Sequence, residues 1–132
     1  MSAAALRILL VEDEPPLLQL LERYLKRLGF EVETHLRAFD ALRRFEDGPE
    51  RYDLVIADLG MPDMRGDTML TRMLAIRPEL RVLVCSGSPY FIENLPVSLQ
   101  RQVGFLQKPF MPKMLADAVQ QLMSQIPPNS RT

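Results

Sequence analysis

Four apolar runs in this chain each end on a residue able to do polar chemistry. Arg7-Ile8-Leu9-Leu10-Val11 leads into Glu12-Asp13, and Asp53-Leu54-Val55-Ile56-Ala57 leads into Asp58. Arg81-Val82-Leu83-Val84-Cys85 leads into Ser86, and Gly104-Phe105-Leu106-Gln107 leads into Lys108. Three carboxylates gathered in one crevice repel one another, so one must hold a proton or a cation must compensate them. The donors are hard oxygens with no His or Cys nearby in sequence, which selects Mg2+ or Mn2+ over Zn2+. Such an ion keeps water positions that phosphate oxygens can fill. Lys108 precedes Pro109, whose ring fixes the backbone, and its ammonium suits a phosphate oxygen as a point charge. Ser86-Gly87-Ser88 adds hydroxyls and a flexible backbone. Each piece alone has a bland reading: strand-end acids facing water, a solvated lysine, a turn. The combination at four strand ends is what points to chemistry.

These residues converge only if the runs are neighbouring parallel strands. The pattern supports that, because strand-length apolar runs alternate with segments of helical period. Strands are expected at 6–11, 30–34, 52–57, 81–85 and 104–107. Helices are expected at 14–28, 38–45, 68–76 and 111–126, with Pro15 and Pro16 in the first turn of the first and Gly29 stopping it. The last helix carries Met114, Leu115, Ala118, Val119 and Leu122 on one face. Residues 88–103, broken by Pro89, Asn94 and Pro96, predict at most a short or irregular helix. The fold class is α/β, a doubly wound three-layer domain. In such open sheets ligands bind at the carboxyl ends of the strands. Residues 1–126 read as one domain, and 127–132 as a polar tail.

Composition sets the bounds. The chain has 132 residues, enough to bury a real core, and its 47% hydrophobic and 25% charged residues are ordinary for a soluble domain. A net charge of −1 offers no basic field for nucleic acid. Cys85 is the only cysteine, which excludes an intrachain disulfide and fits a cytoplasmic protein, with the thiol read as a small buried hydrophobe. No apolar stretch approaches the ~20 residues that span a bilayer. Met1-Ser2-Ala3-Ala4-Ala5 lacks the features of a signal peptide.

The chain resembles the receiver domain of bacterial two-component response regulators over nearly its whole length. The resemblance rests on Val11-Glu12-Asp13-Glu14, on Asp53 to Asp58, and on Met61-Pro62-Asp63-Met64-Arg65-Gly66. It also rests on Val84-Cys85-Ser86-Gly87 and Phe105-Leu106-Gln107-Lys108-Pro109-Phe110. It implies a flavodoxin-like five-stranded parallel sheet of order 2-1-3-4-5, one of the common doubly wound strand orders. It also implies that Asp58 is the phosphoacceptor. Glu12 and Asp13 match the acid pair at an Mg2+ site, with Asp13 the direct ligand and the Gly60 carbonyl a further one. Ser86 matches the hydroxyl that binds the phosphoryl group, Lys108 the lysine paired with its oxygen, and Phe105 the aromatic switch position. The implied donor is a histidine kinase or a histidine phosphotransfer protein, and the implied output is a downstream protein partner or a fused domain. The domain is then no enzyme in the usual sense, but a phosphoacceptor that assists its own phosphorylation and dephosphorylation. Kinase activity would belong to it only as part of a hybrid histidine kinase. No nucleic-acid or membrane contact is expected of this domain.

Several positions depart from the commonest family pattern. Glu12 stands for an aspartate, Ser86 for a threonine, and Phe105 lacks a tyrosine hydroxyl. Gly60 and Ser88 are small where side chains often flank the phosphoryl group, which predicts an open site with ready water access. On the first helix Leu17, Leu18, Leu20, Leu21, Tyr24, Leu25 and Leu28 cover roughly 160° at ~100° per residue, wider than packing on a sheet needs. Leu18 and Leu25 lie at one margin of that arc, as core or as a docking patch. Met111 and Met114 could face a partner, and His35 is expected at the surface after the second strand. A flavodoxin-type cofactor binder is disfavoured, because Glu12-Asp13-Glu14 would repel its phosphate. A haloacid-dehalogenase-type phosphatase needs a second Asp where Gly60 stands. A receiver that docks without phosphorylation is disfavoured by the complete set of acids, serine and lysine.

Overall fold

The computed structural model describes residues 5–87 and 97–124. Strands β1 (Arg7–Val11), β2 (Glu31–His35), β3 (Leu54–Asp58), β4 (Arg81–Ser86) and β5 (Val103–Gln107) form one sheet of order β2-β1-β3-β4-β5. Every neighbouring pair is parallel. The expected topology is therefore the observed one. Between the strands run α1 (Pro15–Arg27), α2 (Ala38–Asp47), α3 (Gly66–Ile76), the short α4 (Val97–Gln100) and, at the end, α5 (Pro112–Ser124).

Alternation along the central strands divides the core in two. Ile8, Leu10, Leu54, Ile56 and Leu83 pack with Leu21, Leu25 of α1 and Leu115, Val119 of α5. Leu9, Val11, Val55, Val82 and Val84 pack with Phe45 of α2 and Met69, Met73 of α3. Both faces are thus covered, which is why β1, β3 and β4 read as continuous apolar runs. Truncating Leu25 or Phe45, each fully buried, would cost about 2–5 kcal/mol.

Local chemistry sets the ends of α1. Prolines occupy its first two positions, where no N–H is needed. Gly29 adopts φ 101°, and the amides of Gly29 and Phe30 bond back to Lys26 and Leu25 in a Schellman arrangement.

Some open readings are decided and some expectations corrected. Of the two readings of Leu18 and Leu25 the core one holds, since they are 7% and 0% exposed, while Leu20 at the other margin of the stripe is 53% exposed. Met114 also leaves the core face of α5, at 47% exposed, whereas Leu115, Val119 and Leu122 are buried as expected. Asp58 and Ser86 are the last residues of their strands rather than the first beyond them. His35 closes β2, half-buried, and its ring bonds to Glu33 at 2.9 Å. Of the broken segment 88–103, α4 is a single turn, and 88–96, with Ser88, lies outside the described residues, as does the tail 127–132.

Candidate functional site

Strand register assembles the site. Val11 pairs with Ala57, so Glu12, one residue on, stands level with Asp58. Asp58 pairs with Cys85, which places Ser86 one step further out. Ser86 pairs with Gln107, and the Lys108 amide extends the ladder by donating to the Ser86 carbonyl at 2.8 Å. Four chain segments far apart in sequence thus end at one edge. Candidate ligand oxygens of Glu12, Asp13 and Asp58 all lie within 4.8 Å of one another.

Most of this cluster is buried. Glu12, Asp58 and Ser86 are 2%, 8% and 7% exposed. Burying carboxylates without compensation is costly, and the compensation is Lys108. Its Nζ donates to Glu12 Oε1 at 2.7 Å and to Asp58 Oδ2 at 3.1 Å. The remaining oxygens are also engaged. Glu12 Oε2 accepts from the Glu14 amide at 3.1 Å, and Asp58 Oδ1 from the Gly60 amide at 3.0 Å. Asp13 is half-buried, and no hydrogen bond engages its carboxylate among the described residues.

The electrostatics follow from this arrangement. Burial pushes the Glu12 carboxyl above its ordinary value, and the bonds from Lys108 and the Glu14 amide only partly offset it. Burial works against the Lys108 ammonium too, but its bonds to Glu12 and Asp58 outweigh that, and its pKa is raised. Lys108 therefore stays charged at neutral pH. The Cys85 thiol beneath the site is pushed up to about 12, chiefly by burial, and is inert, as the sequence suggested.

Phe105 lies two positions before Gln107 on β5, half-buried against the core on the α2 and α3 side. All the residues singled out at the four strand ends thus meet at one edge, and β2 contributes none of them. Two groups escaped the sequence reading. Glu33 Oε2 accepts from the Tyr52 hydroxyl, His35 and Arg44, at 2.8, 2.9 and 3.3 Å. Asp63 accepts from the first amides of α2, Ala38 and Phe39, at 3.1 and 2.9 Å. No local signal announces either one, because the partners are brought together by tertiary packing.

The response regulator receiver domain family matches residues 8–120. This chain belongs to that family. Over 129 residues the receiver is 36% identical to the DNA-binding transcriptional regulator NtrC of Azospirillum brasilense, covering 97% of this chain and 26% of that protein. It is 33% identical over 118 residues to the sensor kinase CckA of Brucella abortus, covering 88% of this chain and 12% of the kinase. Among solved structures, a response regulator receiver protein from Sinorhizobium medicae superposes with a TM-score of 0.80 at 27% identity, covering 94% of this chain and 98% of that one. The receiver thus spans only a minor part of these two curated relatives. Among its described residues no helix is long and apolar enough to cross a membrane.

Proposed function

We propose that this receiver takes a phosphoryl group from phosphohistidine onto Asp58 and passes the signal on through a change at its surface. The observation that carries the reading is the double engagement of Asp58 by Lys108 at one oxygen and the Gly60 amide at the other. Those donors hold the carboxylate at a fixed orientation for in-line attack. An Asp58 oxygen forms the new bond to phosphorus as the bond to the imidazole nitrogen breaks, and the histidine leaves. Lys108 follows the charge that develops on the transferred oxygens.

The donor set fits Mg2+, with Mn2+ as a substitute: clustered carboxylate oxygens, and neither imidazole nor thiolate. Asp13, Asp58 and the Gly60 carbonyl would hold the ion, with Glu12 acting through water. The ion, when bound, neutralises phosphoryl charge. Ser86 would bind the phosphoryl group by its hydroxyl, and Phe105, without a hydroxyl of its own, would respond by packing alone. The same groups support slow hydrolysis of the acyl phosphate by an in-line water.

The donor would be a histidine kinase or phosphotransfer protein. An apolar groove of ≈ 450 Å³ between α1 and the segment after β5 suits one of its helices. Leu17, Leu20, Tyr24, Phe110 and Pro112 line it together with Lys108. The output would be a downstream partner or a fused domain, in the cytoplasm.

Incubation with Mg2+ and a small phosphodonor or beryllofluoride tests the reading. A metal-dependent product or spectral change lost in Asp58→Asn and with chelator is expected. A response that persists in Asp58→Asn, or no response at all, overturns it.

A further inference from the structure

We propose that Asp63 is a positioning residue that locks the 59–65 loop, and with it Gly60 and Asp58, to the start of α2. The inference deepens the reading of the acid site and rests on it for its metal arm alone.

Helix α2 opens without a local cap, since Arg37 makes no side-chain cap bond. Serine, threonine, aspartate or asparagine is favoured at that position. The cap arrives instead from 25 positions away, as both oxygens of Asp63 accept from the amides of Ala38 and Phe39. These bonds, with the nearby Arg37, hold the Asp63 carboxyl below its ordinary value despite the opposing effect of burial.

A local cap would stabilise α2 and nothing more. A distant one makes the position of α2 and that of the loop depend on each other. The loop is the one that matters for chemistry. It leaves β3 at Asp58, and the Leu59 amide bonds to the Cys85 carbonyl at 3.3 Å. The Gly60 amide bonds to Asp58 Oδ1, and the Met61 side chain is buried in the core beside α2 and α3. Asp63 supplies the polar tether at the loop's far side, five residues beyond the acceptor. Without it the segment keeps Met61 as an anchor but loses its fixed distance from α2.

Three variants of the full chain separate positioning from simple helix capping: Asp63→Ala, Asp63→Asn, and Asp63→Ala combined with Arg37→Ser, which restores a local cap. Amide hydrogen exchange without metal is the first readout. Faster exchange at Gly60 as well as at Ala38 and Phe39 is expected in Asp63→Ala, with Asp63→Asn intermediate. Calorimetric titration with Mg2+ is the second, with affinity expected to fall about tenfold in Asp63→Ala. Arg37→Ser should recover the Tm but neither Gly60 protection nor Mg2+ affinity. Unchanged Gly60 exchange in Asp63→Ala, or full recovery of both readouts by Arg37→Ser, would reduce Asp63 to a helix cap and overturn the proposal. Wild-type protein that binds no Mg2+ would overturn the reading of the acid site, and the exchange arm would still decide the role of Asp63.

Discussion

The Lys108 ammonium lies 2.7 Å from Glu12, a carboxylate only 2% exposed and 96 positions away in the chain. This is closer than its 3.1 Å approach to Asp58. The lysine is therefore a structural counter-ion as well as a group aimed at the proposed acceptor.

Lys108→Met should separate these duties. Phosphorylation from a small donor is expected to fall about tenfold or more, because a positioned positive charge is lost. Mg2+ affinity is expected to hold or rise, since a competing cation has gone from three acids. Stability should fall by less than the ~3–5 kcal/mol of a fully dry pair, because 18% of the lysine side chain is exposed. Rate assays, calorimetry and denaturant melts read the three effects.

The two margins of α1 should behave oppositely. Leu18→Glu buries a charge and should unfold the domain or lower its Tm steeply, since Leu18 is 7% exposed. Leu20→Glu, at a half-exposed position beside the groove, should leave the Tm unchanged. It should slow transfer from a phosphohistidine partner about tenfold while sparing small-donor phosphorylation. Parallel transfer assays with both donors decide it.

If Asp58 is phosphorylated as proposed, Gly60 is expected to bear on the lifetime of that form. A Cβ there would meet only Asp58 Oδ1, at 3.7 Å, an ordinary contact. Gly60→Gln should therefore fold normally and lengthen the half-life of phospho-Asp58 several-fold by obstructing water. A half-life equal to wild type would mean that the Gly60 position does not govern the approach of water to Asp58.

Acid should weaken the second carboxylate centre. Burial opposes the charge on Glu33, but the bonds from His35 and Tyr52 and the nearby Arg44 win, and its pKa is lowered from the ordinary 4.5. A depressed pKa stabilises the fold fully above 4.5 and ceases to do so as pH falls through the lower folded value. Glu33→Gln should cost about 0.5–1 kcal/mol at pH 7 after solvent screening. That gap should close in melts run progressively below pH 4.5.

Most of the fold was legible in the sequence because β1, β3 and β4 are buried on both faces and must be apolar through their interiors. The strand-end residues stood out against that background as polar types where the pattern predicts none. Helix faces were less legible. Both margins of α1 are leucines, and periodicity measures the width of an apolar stripe without saying which edge meets the sheet. The docked orientation buries Leu18 and Leu25 and leaves Leu20 outside.

The order of apolar and polar residues along the chain, a local property, was thus enough to determine the strand sequence, the acids, the serine and the lysine. Tertiary structure alone decided which of them touch. Register sets Glu12 level with Asp58, Lys108 divides its charge between them, and Asp63 caps a helix that begins 25 residues before it. Such contacts depend on the spacing and twist of packed layers, and no short stretch of sequence carries that information.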